Sequence, residues 1–384
     1  MTTSGPMLFG QMPLAEFLRD YWQKKPCLFR QALPDFDSPL SMDEVAGLAL
    51  EADIESRLVR EAPASGPAWA VECGPFTDTD LSGLPESGWS LLVQAVDQWV
   101  PEVRAVLDEF GFLPAWRLDD IMISLAPSGG SVGPHFDQYD VFLLQAEGQR
   151  DWQLGGYCDA DTPLLAGVPL SILADGIGQP SARWTLEPGD ILYLPPRLAH
   201  HGVALTPCMT WSVGFRAPDV LEALQGLAQR AELDSAVDFM RYSDTDLTPQ
   251  EALTAQIGQD SLRRLRATLS TVLARDDLLA DWLGAYMTQN KYGLFDWSEV
   301  SEQTAPPEGT LVRQALPTRM TAFEHQFYVN GRAFALTAAD QPLIDCLLQQ
   351  DQWYWQELAA RAHSATARRM LGLLLESGSL EISE

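Results

Sequence analysis

The apolar positions of this chain follow helical spacing near both ends and strand-like spacing in the middle. Over residues 13–23, Leu14, Phe17, Leu18, Tyr21 and Trp22 fall on one helical face. Lys25-Pro26 ends that helix, because a residue before proline is driven out of the helical region. Ser41-Met42-Asp43-Glu44 is a capping box and predicts a helix to about Ala52. Residues 57–73 alternate loosely up to Gly74-Pro75 and predict strands. Leu92, Ala95, Val96 and Trp99 predict a helix over residues 91–106.

From Ile121 onward short apolar runs are separated by Gly and Pro: 120–126, 134–146, 149–155, 170–173, 182–187, 190–195, 201–205 and 208–216. Many short strands with turns between them predict a sandwich or barrel. Glu147-Gly148 reads as a tight hairpin and Pro188-Gly189 as a turn. Pro195-Pro196 stops a strand, since proline gives no donor to a paired neighbour. After Pro218 helices return. Leu221, Leu224, Leu227 and Ala228 share a face, Thr248-Pro249-Gln250-Glu251 is a helix start, and Leu262, Leu265, Leu269, Val272 and Leu273 form a further stripe. Such helices bury their apolar faces on the barrel or on another subunit. Residues 301–318 read as a linker. Strand 326–336, helices 340–350, 353–362 and 364–376, and strand 380–382 then follow the order of a winged helix.

The 384 residues are enough for two or three domains, and a hydrophobic fraction of 46% supplies a core. Fifty-three acidic residues against 25 basic give a net charge of -28. That balance repels phosphate backbones, so no direct nucleic-acid binding is expected, and it attracts a basic protein. The winged helix agrees: residues 320–384 hold four arginines, no lysine and eight acidic residues. A protein-contact or architectural role is expected of it. Five scattered cysteines without a Cys-x-x-Cys pair point to free thiols in a reducing compartment. No signal peptide and no membrane-length apolar run is evident, so the chain reads as cytoplasmic.

The chemistry concentrates at Gly133-Pro134-His135-Phe136-Asp137-Gln138-Tyr139-Asp140. In an extended strand His135 and Asp137 lie on one face, two-thirds of a 2-His-1-carboxylate set for non-haem Fe(II). The third ligand is expected at His200 or His201; neighbours point to opposite faces, so only one of them reaches a metal. The Gly-rich loop 129–133 lacks the Lys-Ser/Thr ending of a phosphate cradle. A zinc-isomerase type of site would have a second His at position 137 and a Glu soon after. Arg150, on the strand beyond the Glu147-Gly148 hairpin, shares a face with Trp152 and Leu154; an inward guanidinium is costly unless it meets an anion. Ser124 stands on a preceding strand and offers a hydroxyl to that anion.

These motifs, with Gly148-Gln149-Arg150-Asp151-Trp152, Pro188-Gly189-Asp190-Ile191-Leu192-Tyr193-Leu194-Pro195-Pro196 and Trp211-Ser212-Val213-Gly214-Phe215-Arg216, resemble the JmjC-type bacterial ribosomal oxygenases that hydroxylate an arginine of large-subunit ribosomal protein sixteen. The resemblance covers nearly the whole chain. It implies an α+β architecture: a double-stranded β-helix (cupin/JmjC) domain over 1–217 with N-terminal additions, a helical dimerisation region over 218–305 and a winged helix over 306–384. It implies His135, Asp137 and His200 as ligands of Fe(II), favouring His200 because the family's His precedes a Gly by two residues, here Gly202. It implies 2-oxoglutarate and O2 as cosubstrates, with Arg150 on the distal carboxylate and Ser124 assisting. The expected reaction is C3 hydroxylation of an arginine in a basic ribosomal protein, by a homodimer. Tyr139 and Asp140 are expected to line the substrate entrance. The competing readings are a hydroxylase of a histidine in another ribosomal protein, N-methyl-lysine removal, and a metal-binding docking scaffold without turnover.

Overall fold

The structure, a computed structural model, describes residues 6–61, 68–168, 170–232, 241–292, 295, 297 and 305–383. They belong to two units, Met1–Ala217 and Pro218–Glu384. Parts of two expected segments, 62–67 in the 57–73 strands and 301–304 in the linker, lie outside the described residues.

The first unit contains β1 (Met7–Leu8), β2 (Met12–Pro13), β3 (Cys27–Phe29), β4 (Ser56–Glu61), β5 (Trp69–Cys73), β6 (Trp89–Val93), β7 (Leu118–Ala126), β8 (Val141–Glu147), β9 (Arg150–Tyr157), β10 (Ala182–Leu186), β11 (Ile191–Leu194), β12 (Leu198–Ala204) and β13 (Cys208–Phe215). Eight form one sheet in the order β3-β11-β8-β13-β7-β6-β4-β5; a smaller sheet runs β10-β9-β12. One face of the large sheet buries Ile121, Ile123, Phe142, Leu144, Tyr193 and Trp211 under the N-terminal segments. Its other face meets the small sheet, where Val141, Leu143, Leu192 and Leu194 pack against Trp152, Leu154, Leu186 and Leu198. Two facing antiparallel sheets make the expected double-stranded β-helix. Because β8 and β11 are covered on both sides, Val141–Leu144 and Ile191–Leu194 read as apolar runs rather than alternations. Each such side chain contributes roughly 1.5–3 kcal/mol of burial.

The N-terminal helix Leu14–Asp20 and the helix Met42–Leu48, whose Ser41–Glu44 capping box forms in both directions, stand where periodicity put them. Residues 91–106 do not form the expected helix. They are β6, a 3-10 turn at Val96–Gln98 and a short helix Pro101–Ala105. Leu91, Leu92 and Val93 are buried on both faces between β4 and β7, and a short run of that kind fits helix and strand templates equally. The strand expected over 134–146 is regular only from Val141; His135 makes isolated bridges to His200 and Ile172 instead.

The second unit opens with helices Val220–Glu232, Pro249–Ala252, Gln259–Leu273 and Asp276–Thr288. Thr248 caps the second as expected, with Pro249 in its first turn. Strands β14 (Leu311–Gln314), β15 (Met320–Phe323), β16 (Gln326–Val329), β17 (Arg332–Ala335), β18 (Gln352–Tyr354) and β19 (Leu380–Ile382) make two three-stranded sheets, β18-β14-β19 and β15-β16-β17. Helices Gln341–Gln349, Trp355–Arg361 and Ala365–Glu376 complete the winged helix around Leu343, Trp353, Leu358 and Leu374. Part of the expected linker is therefore structural: Leu311–Gln314 is the central strand of a sheet, with Val312 fully buried. Gly284 lets the helix Asp276–Thr288 lie directly on the Tyr328 ring, where a Cβ would overlap it. Among the described residues no helix is long and apolar enough to cross a membrane.

Candidate metal centre

The smaller sheet and the loop before β8 build the site. His200 lies on β12 opposite Leu154 of β9, and its backbone bridges His135 through reciprocal hydrogen bonds of 2.9 and 2.8 Å. Asp137 follows two residues later. Its carbonyl accepts from the Arg197 amide at 2.6 Å, and Arg197 has a left-handed φ of 66°. Such backbone costs energy for a side chain other than glycine, and here it anchors Asp137. Gly133 permits the turn into the site with a φ of +86°, and a Cβ there would crowd Trp69 and Ile172.

The ligand atoms of His135, Asp137 and His200 all lie within 4.8 Å of one another. His135 Nδ1 donates to the Gly133 carbonyl at 2.9 Å, and His200 Nδ1 donates to the Leu198 carbonyl at 2.8 Å. Those bonds fix the tautomer of each neutral ring. Both Nε2 atoms then carry lone pairs, yet they face each other at 3.1 Å. Two acceptors at that distance do not bond to each other; both are aimed where a cation sits. Asp137 Oδ2 is 3.6 Å from His200 Nε2. Burial, reinforced by His135, pushes the His200 pKa down to about 4, so the ring is neutral and ligand-ready at pH 7. This donor set fits the 2-His-1-carboxylate centre of non-haem Fe(II).

His201 faces the other way. It pairs with Gln153 on the outer surface of the small sheet, where Asp151 holds Arg183 at 2.9 Å. Arg150 faces inward, opposite Ala204 and Leu186, on the same face as His200. It is 2% exposed, and its Nε and Nη2 find no partner among the described residues. An uncompensated buried guanidinium marks a place for an anion. Ser124 is buried on the interior face of β7 and donates to the Thr210 carbonyl at 3.2 Å. The sequence reading missed its neighbours: Ser124, Thr210 and Gln145 stand in register across β7, β13 and β8, and the Thr210 hydroxyl donates to Gln145 Oε1 at 3.1 Å. Gln145, a polar residue within an apolar run, was the available signal.

Tyr139 is exposed as a whole residue, and the Asp137 carboxylate first, then desolvation at its hydroxyl, Asp120 and Asp119, raise its pKa, so the phenol keeps its proton. Asp140 does not line an entrance. It is fully buried and accepts from Tyr193 Oη at 2.7 Å, Gln23 Nε2 at 2.9 Å and Arg117 Nη2 at 3.3 Å. Its carboxylate ties the N-terminal segment to β11, a role that an adjacent position in a metal motif does not reveal.

Comparison with known proteins bears on the chain as a whole. The JmjC domain family matches residues 105–223, and the ROXA-like winged helix matches residues 264–381. The chain is 38% identical over 383 residues to the ribosomal protein uL16 3-hydroxylase of Escherichia coli, covering 94% of this chain and 96% of that one. It is 36% identical to a probable ribosomal oxygenase of Haemophilus influenzae over 298 residues, 76% of this chain and 72% of the relative. The crystal structure of E. coli YcfD superposes with a TM-score of 0.82 at 32% identity, covering 97% of this chain and 99% of YcfD. The YcfD complex with cobalt and 2-oxoglutarate superposes with a TM-score of 0.79 at 31% identity and the same coverage. The chain belongs to the JmjC-domain ribosomal oxygenases.

Proposed function

We propose that the chain is an Fe(II)- and 2-oxoglutarate-dependent dioxygenase that hydroxylates C3 of an arginine in a large-subunit ribosomal protein, uL16 by likeness to the E. coli relative. The observation that carries this reading is the grouping of His135, Asp137 and His200, with His200 on the same inner face as Arg150, whose Nε and Nη2 have no partner among the described residues. Bound Fe(II), with 2-oxoglutarate and O2, supplies the oxidising power for hydroxylation of an unactivated carbon and yields succinate and CO2. His135 and His200 hold the metal through Nε2 and Asp137 through its carboxylate. Arg150 takes the distal carboxylate of 2-oxoglutarate in a fork, assisted by Ser124. At the mouth, Tyr139, with Asp120 close to its hydroxyl, suits the guanidinium of a substrate arginine.

The test is incubation of the chain with Fe(II), 2-oxoglutarate and a uL16 peptide containing the candidate arginine. The expected product gains one oxygen atom on arginine, matched by succinate. Oxygen gained only by a histidine peptide of another ribosomal protein favours the histidine reading. Loss of a methyl group from N-methyl-lysine favours demethylation. No substrate-stimulated succinate, with alanine variants at His135, Asp137 and His200 like the wild type, leaves a docking scaffold.

The same reading takes residues 1–217 as catalytic domain, 218–305 as a homodimerising helical region and 306–384 as a winged helix that contacts protein rather than nucleic acid. Exposed Leu221 and Leu224 on one helix and Leu262, Leu265, Leu269 and Leu273 on another support a subunit contact. Replacing Leu265 and Leu269 together by Glu is expected to convert a dimer to a monomer in sedimentation. Five unpaired cysteines support a cytoplasmic setting.

A further inference from the structure

Trp152 stands between the two charged ends of the inner face. It follows Arg150 by two residues on β9 and lies opposite Gly202, itself two residues beyond His200 on β12. Its ring centroid is 5.8 Å from that of His200, and the Arg150 guanidinium carbon is 5.8 Å from the indole. The ring is held from below. A Cβ at Gly202 would lie 2.8 Å from two indole carbons, so glycine is needed for the indole to lie flat on β12. Leu154 and Leu198 pack in the same cluster. The residue is 3% exposed, and its Nε1–H has no hydrogen-bond partner among the described residues. A buried indole N–H ordinarily finds an acceptor, because an unmade bond leaves its lost hydration uncompensated.

We propose that Trp152 is a positioning residue for the cosubstrate. Its indole is a fixed spacer that sets the distance between the metal-binding and guanidinium ends of the pocket, and its Nε1–H donates to the distal carboxylate that Arg150 pairs with. The spacer selects the chain length of the 2-oxo diacid; the N–H contributes affinity. This inference rests on the cosubstrate reading above.

The experiment uses the full chain loaded with Mn(II) without oxygen, so that binding is read without turnover. Calorimetry with 2-oxoglutarate, the one-carbon-shorter oxaloacetate and the one-carbon-longer 2-oxoadipate is run on wild type, Trp152→Phe and Trp152→Leu. Thermal unfolding and Mn(II) affinity confirm that each variant is folded. Trp152→Phe keeps a ring and removes the donor; its 2-oxoglutarate Kd is expected to rise about tenfold with the chain-length preference kept. Trp152→Leu removes the spacer and is expected to narrow the preference for 2-oxoglutarate over its longer homologue. The indole N–H resonance missing from the Trp152→Phe spectrum should shift when 2-oxoglutarate binds wild type loaded with diamagnetic Zn(II). Unchanged Kd and chain-length preference in both variants, with an indole resonance that does not move, overturns the role of Trp152. A wild type that binds none of the three acids overturns the cosubstrate reading itself.

Discussion

At the scale of single residues, the site is defined by bonds that the protein makes away from the metal. Each histidine spends its Nδ1 proton on a carbonyl three or fewer residues away in its own segment, which leaves Nε2 free for ligation. Arg150 shows the converse arrangement, a charge buried with two nitrogens unpartnered among the described residues. Its alanine variant is therefore expected to lose about 3 kcal/mol of 2-oxoglutarate binding, roughly a hundredfold in Kd, while Mn(II) binding stays within about twofold. Calorimetry separates the two; equal cosubstrate affinity in the variant removes Arg150 from the pocket. The pairing of His135 with Asp137 was legible from the motif, and the choice of His200 over His201 came from the resemblance through the Gly202 offset; the fold brings these three side chains together, although residues 135–137 form no regular strand. Asp140 was not legible, since burial depends on Gln23, Arg117 and Tyr193, which approach from distant segments. Arg197 left no trace either: its contribution is a backbone angle and an amide, which no side-chain pattern encodes.

At the scale of elements, amphipathic helices, capped starts and most strands of 120–216 were readable, and β6 and β14 were not. The helix stripes and both Ser41 and Thr248 boxes depend on local chemistry alone. β6 and β14 depend on what covers them. The Asn330-Gly331 pair did carry a local signal for a hairpin, since both residues adopt positive φ between β16 and β17, yet apolar residues on both sides made 326–336 read as one strand. Asp340 carries a prediction at this scale. Burial alone would raise its pKa, but its carboxylate accepts from Thr337 N and Oγ1 at 3.0 and 2.7 Å, and from His363 N and Ser364 N at 2.8 and 2.9 Å. Those bonds hold the pKa well below the usual carboxylate range. They also pin the start of helix Gln341–Gln349 to the cap of helix Ala365–Glu376. With the folded pKa depressed, this stabilisation is complete above the unfolded value near about 4 and is lost as pH falls toward the folded one. Asp340→Ala is expected to destabilise the second unit by about 3 kcal/mol at pH 7. In urea unfolding, the gap from wild type should shrink on acidification below about pH 4; a gap independent of pH would count against the ionised carboxylate as the tie.

At the scale of the whole molecule, the net charge of -28 is the feature that the metal chemistry does not require. It admits two explanations that differ in a measurable way. If acidity serves only solubility, the rate of capture of a substrate protein depends little on salt. If it steers a basic ribosomal protein, association is fast at low ionic strength and falls as ions screen the field, whose reach is about 8 Å at 0.15 M. Locally, Asp120 lies close enough to the Tyr139 hydroxyl to raise its pKa, so part of this acidity stands beside the metal centre. Once a substrate arginine is seated, these close contacts are screened less than the long-range field, so salt acts mainly on the encounter. We therefore expect kcat/KM for the intact ribosomal protein to fall roughly tenfold between about 20 and about 300 mM NaCl, with kcat nearly constant. A short peptide carrying only the target arginine presents less positive charge and should show a shallower slope in the same assay. Equal slopes for protein and peptide, or a flat response for both, would assign the acidity to solubility and leave recognition to the contacts at the mouth of the site.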